Sequence, residues 1–121
     1  MAFFSIALTN IIGAVKKAAG ALTRDFNELE HLQNNARGND SFALHSYEKV
    51  FNLLHKELTK YKPYNIVDKA NSVIPASGNY FAIAPINGFA NFAHGNGNFA
   101  ISVALIENNN LIDAVIYNPI Y

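Results

Sequence analysis

The stretch FAISVALIENNNLIDAVIY, residues 99–117, decides the fold. Two runs rich in β-branched and aromatic residues, Phe99 to Ile106 and Leu111 to Tyr117, flank the turn residues Asn108-Asn109-Asn110 and are expected to pair as antiparallel strands. Toward the N-terminus, Tyr80 to Ala84 reads as another strand and Ile66-Val67 as a short one, separated by Asn, Gly and Ser. Before Pro63 the period changes. Leu44, Tyr47, Phe51, Leu54 and Leu58 alternate by three and four while Glu48, Lys49, Asn52, Lys56 and Lys60 point elsewhere, which predicts a helix over about 41–61. Asn34 to Asp40 reads as turn and cap chemistry, with Asp40 or Ser41 accepting the first free N–H groups of that helix. A first helix is predicted over about 4–33. Its face carries Phe4, Ala7, Leu8, Ile11, Val15, Ala18 and Leu22, continued by Phe26, Leu29 and Leu32. The order helix, helix, strands gives the α+β class: two N-terminal helices packed on a mostly antiparallel sheet, in one domain over 1–121.

Composition bounds the function. The chain has 121 residues, nine Lys+Arg against nine Asp+Glu, four His and no Cys, and is 50% hydrophobic. A chain of this size buries roughly two-thirds of its extended surface, enough for a true core. Zero net charge without a basic cluster carries no direct nucleic-acid signal and no membrane-surface signal. The absence of Cys removes disulfides, thiolate nucleophiles and Cys-based zinc sites together. The apolar start MAFFSIALTNIIGAV lacks the positive n-region of a secretion signal, since Lys16 and Lys17 come after it, and Asn10 interrupts a run already too short to span a bilayer. An amphipathic helix in a cytoplasmic protein is the expectation.

Generic chemistry is thin. His31, His45, His55 and His94 lie far apart without the i, i+4 spacing of a helical metal site; His45 and His55 fit a solvated helix side and His94 a loop. No G-x-S-x-G elbow is present, and Gly95-Asn96-Gly97 lacks both the third glycine of a dinucleotide loop and the Lys-Ser/Thr of a P-loop, so it reads as a plain turn.

The segment Ile83-Ala84-Pro85-Ile86-Asn87-Gly88-Phe89-Ala90-Asn91-Phe92-Ala93-His94-Gly95 is different. It resembles the I-D-P-x-D-G-T-T-N-F-x-H-G signature of the inositol monophosphatase family, which includes the bacterial extragenic suppressor SuhB proteins. Downstream, Phe99, Ser102, Ala104 and Leu105 are similar to the family's F-x-x-S-x-A-L strand, and Val115-Ile116-Tyr117-Asn118-Pro119 to its V-x-Y-[ND]-P. Upstream the likeness is weaker but keeps the same order: Arg24-Asp25-Phe26, the Gly38 to Phe42 turn, the second helix, and Lys62-Pro63. It covers nearly the whole chain and the first half of a family member, so a truncated member with the N-terminal half of the family's fold is expected.

The resemblance implies Mg²⁺-dependent hydrolysis of phosphate monoesters, in which the ion activates a water and neutralises the leaving oxygen. Mg²⁺ is a hard ion held by carboxylates, water and substrate phosphate. At the family's first signature Asp stands Ala84, at the second Asn87, and at the Thr pair Phe89-Ala90. Asn87 keeps one oxygen without the charge, Ile86 keeps its backbone carbonyl, and Gly88 persists. The family's Glu-Glu falls near Asp68-Lys69-Ala70, in a segment a few residues shorter than usual; Asp68 is the one acid that survives there, and the better alignment puts Lys69 on the ligand position. The family's Asp at the start of helix two corresponds to Tyr47, on the apolar stripe and so read as core. The later W-D-x-A-A-G segment would fall beyond Tyr121. Only four of the nine acids are Asp, while Asn occurs 17 times, and the shortage falls on the metal positions. Glu107 and Asp113 are read as solvent-facing charges.

The expectation is therefore a catalytically inactive member with a degenerate site: no catalytic residue, no metal ligand and no cofactor, Mg²⁺ being the family's. The alternative is a non-enzymatic binding or regulatory protein related to the SuhB role in RNA processing and transcription. A third reading is a Mg²⁺-dependent phosphate monoester hydrolase completed by a second chain. A sheet ending on the 99–117 hairpin leaves an edge and an apolar face open, where self-association or a protein partner is expected.

Overall fold

The computed structural model describes residues 5–31, 36–68 and 78–121. Two 26-residue helices, α1 (Ile6–His31) and α2 (Ala36–Tyr61), precede strands β1 (Asn65–Asp68) and β2 (Tyr80–Asn87), a short helix α3 (Phe89–Ala93), and strands β3 (Ala100–Glu107) and β4 (Asn110–Tyr117). The four strands form one sheet in the order β1-β2-β3-β4. β2–β3 and β3–β4 are antiparallel, but β1 pairs with β2 in parallel, so the sheet is mixed. Among the described residues no helix is long and apolar enough to cross a membrane.

Both helices lie on one sheet face. Ile11, Val15, Leu22, Phe26 and Leu29 of α1 and Val50, Leu54 and Leu58 of α2 meet Phe81 and Ile83 of β2 and Ile101, Val103 and Leu105 of β3, all buried in one cluster. Ser5 caps α1: its hydroxyl accepts the Leu8 N–H at 3.0 Å and donates to Asp113 Oδ2 at 2.8 Å, fastening the helix start to β4. Asp113 is thus not a free surface charge. Neither is Glu107, whose carboxylate accepts the Tyr64 hydroxyl. The hairpin closes through a two-residue loop, Asn108 and Asn109 at φ 53° and 67°, because the mirror-image turn that matches strand twist needs positive φ at both positions.

The helices differ from expectation in two ways. Residues Ala36 to Asp40, read as a break, are helical, and Asp40 and Ser41 sit a turn inside α2; Asn34 and Asn35 lie outside the described residues. These residues extend the helix whose packed part begins at Phe42, since adding a residue to an existing helix is far easier than starting one. The buried line of α2 is also displaced. It runs Ala43, Ser46, Val50, Leu54, Leu58, leaving Leu44 59% exposed, with Tyr47 and Phe51 half-buried at its side. Small Ala43 and Ser46 let α2 approach α1, and Ser46 Oγ donates at 2.7 Å to Asp25, which is buried in α1 and is also paired with Lys49 at 3.1 Å. His45 and His55 are exposed, as read.

Leu54→Ala should cost about 2–5 kcal/mol by deleting a fully buried side chain, while Leu44→Lys should stay within about 0.5 kcal/mol. Urea unfolding of the two variants checks this; equal losses would place the buried line of α2 wrongly.

Candidate functional site at the end of strands β1 and β2

Because β1 and β2 run parallel, their C-terminal ends lie at the same end of the sheet, Asp68 opposite Ile83 and next to the signature that follows. β2 carries Ala84, opposite Ser102, and then loses regular register before Asn87, where Pro85 has no N–H to give the ladder. Gly88, at φ 90°, turns the chain out of the strand and into α3. A Cβ at Gly88 would stand 2.9 Å from the Asn98 carbonyl oxygen and 3.3 Å from Phe99 Cα, so glycine is required by backbone approach as well as by φ.

The helix α3, absent from the sequence reading, is pinned from below. Phe92 is fully buried and meets Phe99 edge to face at 5.1 Å, with Phe26 of α1 5.2 Å from Phe99. Asn91 Nδ2 donates to the Asn98 carbonyl at 2.8 Å, and His94 Nδ1 donates to the Ala90 carbonyl at 2.8 Å. Gly95 ends the helix at φ 78°, in the plain turn expected there. Asn118 Nδ2 donates to the Gly97 carbonyl at 3.1 Å, and its Oδ1 accepts the Ile120 N–H at 2.8 Å, folding the tail back on this loop.

The structure brings three of the singled-out residues together. Tyr47 reaches from α2 to donate its hydroxyl to Asp68 Oδ2, and Phe89 places its ring against the Tyr47 ring, 6.1 Å between centroids and nearly perpendicular. Tyr47 is therefore more than core: its ring is half-buried and its oxygen holds the carboxylate of this end of the sheet. Asp68 is 3% exposed and has a further interaction besides the tyrosine. Ile86 is buried, whereas Asn87, Gly88 and Ala90 are exposed and Ala84 half-buried. Lys69 and Ala70 lie outside the described residues. In the sequence, Tyr47 and Asp68 both stand out through the family resemblance, but as separate residues and not as a pair.

Burial first, and then the hydrogen bond and the charge of Asp68, push the Tyr47 hydroxyl well above the usual tyrosine range. The Tyr64 hydroxyl is raised too, chiefly by its bond to Glu107. As a donor set for a hard dication, the described signature positions offer the Asp68 carboxylate, the neutral amide oxygen of Asn87 and the backbone carbonyl of Ile86; Ala84 and Phe89 offer no side-chain oxygen. Among the described residues no group of three or more His, Asp or Glu could hold a metal ion.

A raised Tyr47 pKa stabilises the folded protein fully below the ordinary tyrosine pKa of about 10, and that contribution fades as pH rises above it. Tyr47→Phe should cost about 1–3 kcal/mol at neutral pH. The gap to the wild type should narrow in alkali, followed by urea unfolding, while absorbance titration of the variant should lack part of the late phenolate rise. A gap constant through strong alkali would refute the pairing.

Comparison with known proteins fits this geometry. The profile of the Inositol monophosphatase family matches residues 8–121. Inositol-1-monophosphatase of Rhizobium meliloti is 33% identical over 117 residues, 93% of this chain and 44% of that protein. The Nus factor SuhB of Xylella fastidiosa is 29% identical over 118 residues, 94% of this chain and 42% of that protein. The crystal structure of the extragenic suppressor protein suhB from Bartonella henselae superposes with a TM-score of 0.79 at 27% identity, over 95% of this chain and 44% of that one. The chain thus spans less than half the length of the curated relatives it matches. The match also corrects the expectation of no cofactor. The matched residues include the whole signature segment, and the family is Mg²⁺-dependent, so Mg²⁺ is the cofactor that membership implies, although no binding by this chain is shown. Two helices on a mixed four-stranded sheet, the signature turn at Gly88 and the match over residues 8–121 place this chain in the inositol monophosphatase family, as the N-terminal part of its fold.

Proposed function

We propose that these 121 residues form a family member that does not hydrolyse phosphate monoesters on its own. One observation carries the reading: the positions that the resemblance sets against the family's signature acids and hydroxyls are Ala84, Asn87, Phe89 and Ala90, and the Asp68 carboxylate accepts the Tyr47 hydroxyl. Activating a water and stabilising a leaving oxygen both depend on concentrated positive charge, and that charge is held by anionic ligands. The Phe89 ring, set against Tyr47, fills space where a hydroxyl ligand would face the substrate.

Phosphate release from inositol monophosphate in Mg²⁺ should stay at the uncatalysed background, with or without chelator. Clear turnover that chelator abolishes would overturn the reading.

A second reading is favoured by the apolar face the sheet leaves open, where Leu111 and Ile116 are 65% and 76% exposed: a non-enzymatic binding role, as the name Nus factor SuhB suggests for one relative. Binding to purified transcription proteins, followed by fluorescence anisotropy, should then persist in chelator and weaken when Ile116 is changed to Lys. Absence of binding, or indifference to Ile116→Lys, would count against it.

A further inference from the structure

Of the 17 asparagines, two precede a glycine: Asn87-Gly88 and Asn96-Gly97. Such a pair carries latent chemistry. Asparagine is a thermolabile residue because the backbone nitrogen of the next residue can attack its side-chain amide carbon. A new C–N bond closes a cyclic imide as the amide C–N bond breaks, and the amide nitrogen leaves as ammonia with the proton of the attacking N–H. Water then opens the ring at the side-chain carbonyl, giving aspartate, or at the main-chain carbonyl, giving isoaspartate. Either way a neutral amide becomes a carboxylate. A glycine in second place presents no side chain to the closing ring and accepts either sign of φ as the peptide link turns.

The fold treats the two pairs differently. Asn96 Oδ1 accepts the Asn98 N–H at 3.0 Å, and the Asn96 N–H donates to the Asn91 carbonyl at 2.8 Å. Gly97 beside it is buried: its carbonyl accepts Asn118 Nδ2 at 3.1 Å, and a Cβ there would meet Ile120 at 3.0 Å and Tyr121 at 3.1 Å. That amide and the nitrogen that would attack it are both held. Asn87 and Gly88, in contrast, are exposed. Among the described residues no hydrogen bond engages the Asn87 side-chain amide or the Gly88 N–H. Asn87 is the last residue of β2, paired with Ala100 past the register shift that follows Ala84. The bond that fixes the turn into α3 is made by the Gly88 carbonyl, which accepts the Phe92 N–H at 3.1 Å, so the link between Asn87 and Gly88 can turn without breaking it.

We propose that Asn87 is a site of spontaneous deamidation and that the fold protects Asn96 from the same reaction. Nine bases against nine acids then become nine against ten, and the added carboxylate stands at the end of the sheet that carries Asp68. The isoaspartyl product also lengthens the main chain immediately before Gly88, where the Asn98 carbonyl oxygen leaves no room even for a Cβ, and so loosens the seat of α3. The reaction consumes only water, and the proposal holds whether or not the chain turns over phosphate esters.

Ageing the 121-residue chain at mildly alkaline pH, followed by chymotryptic mass mapping, tests it. Cleavage after Phe81, Phe89, Phe92 and Phe99 places the two asparagines in separate peptides, 82–89 and 93–99. The first should gain the mass of a hydroxyl in place of an amino group, while an acidic species grows on isoelectric focusing. Asn96 should convert roughly tenfold or more slowly, since local opening must first release its amide. In urea, where the fold no longer separates them, the two should convert at similar rates. Asn87→Gln keeps an amide on a chain too long for ready closure; it should lack the acidic species while circular dichroism matches the wild type. The proposal is overturned if Asn87 stays intact in the folded chain over a period in which it converts in urea, or if Asn96 converts as fast as Asn87 in the folded chain. It is equally overturned if Asn96 is as slow in urea as in the folded chain, or if the acidic species persists in Asn87→Gln.

Discussion

Everything at the candidate site depends on how closely the end of β2 passes the segment leading into β3. At Gly88 the backbone has no room for a Cβ, since the Asn98 carbonyl oxygen would be 2.9 Å away, and the conformation at φ 90° disfavours one independently. From that turn α3 begins, and its Phe92 drops into the Phe26–Phe99 cluster that joins α1 to β3. A side chain at Gly88 would push the turn away from Phe99 and lift α3 off its aromatic seat. The requirement belongs to the fold and is indifferent to what chemistry the neighbouring residues perform.

Other residues of the segment serve the fold in the same way. Asn91 bonds the Asn98 carbonyl, Gly95 adopts positive φ, and Asn118 ties the tail to Gly97. Each retained residue has a backbone to hold. Ala84 and Asn87, by contrast, belong to β2, and Phe89 opens α3 with its ring against Tyr47. Tyr47 and Phe89 act together: each ring supplies apolar surface to the other, and the Tyr47 hydroxyl donates to Asp68.

The elements were legible where local and long-range preferences agree. The 99–117 hairpin shows alternation, β-branched content and an Asn turn together, and Phe26 and Leu29 continue the face of α1 as their spacing indicates. The reading failed where tertiary contact overrides local signal. Gly38-Asn39-Asp40 are turn formers that nonetheless lie inside α2. The buried line of that helix uses Ala43 and Ser46, which periodicity scored on large apolar residues passes over in favour of Leu44. The parallel β1–β2 pair depends on the course of the chain between them, which strand propensity does not encode. At the site, the likeness to the family signature was legible position by position through residues 83–95. It could not show that a helix-two phenol reaches the Asp68 carboxylate, because only the fold brings residues 47 and 68 together.

The acids of this chain that the fold engages each have a neutralising or hydrogen-bonding partner: Asp25 has Ser46 and Lys49, Asp113 has Ser5, Glu107 has Tyr64, Glu57 has Lys17, and Asp68 has Tyr47. A cluster of carboxylates gathered for a dication has no such partners among its own members, since like charges at short range raise one another's energy until the ion arrives. A site of that kind weighs on the stability of the fold that carries it. With rings at Tyr47 and Phe89 and the Asp68 carboxylate accepting a hydroxyl, this end of the sheet already holds its acid by a hydrogen bond. Among the described residues Asp25 and Glu57 are matched by lysines, whereas Asp113 and Glu107 on the sheet accept neutral hydroxyls, so an acid in this fold is settled by hydrogen bonding as well as by countercharge.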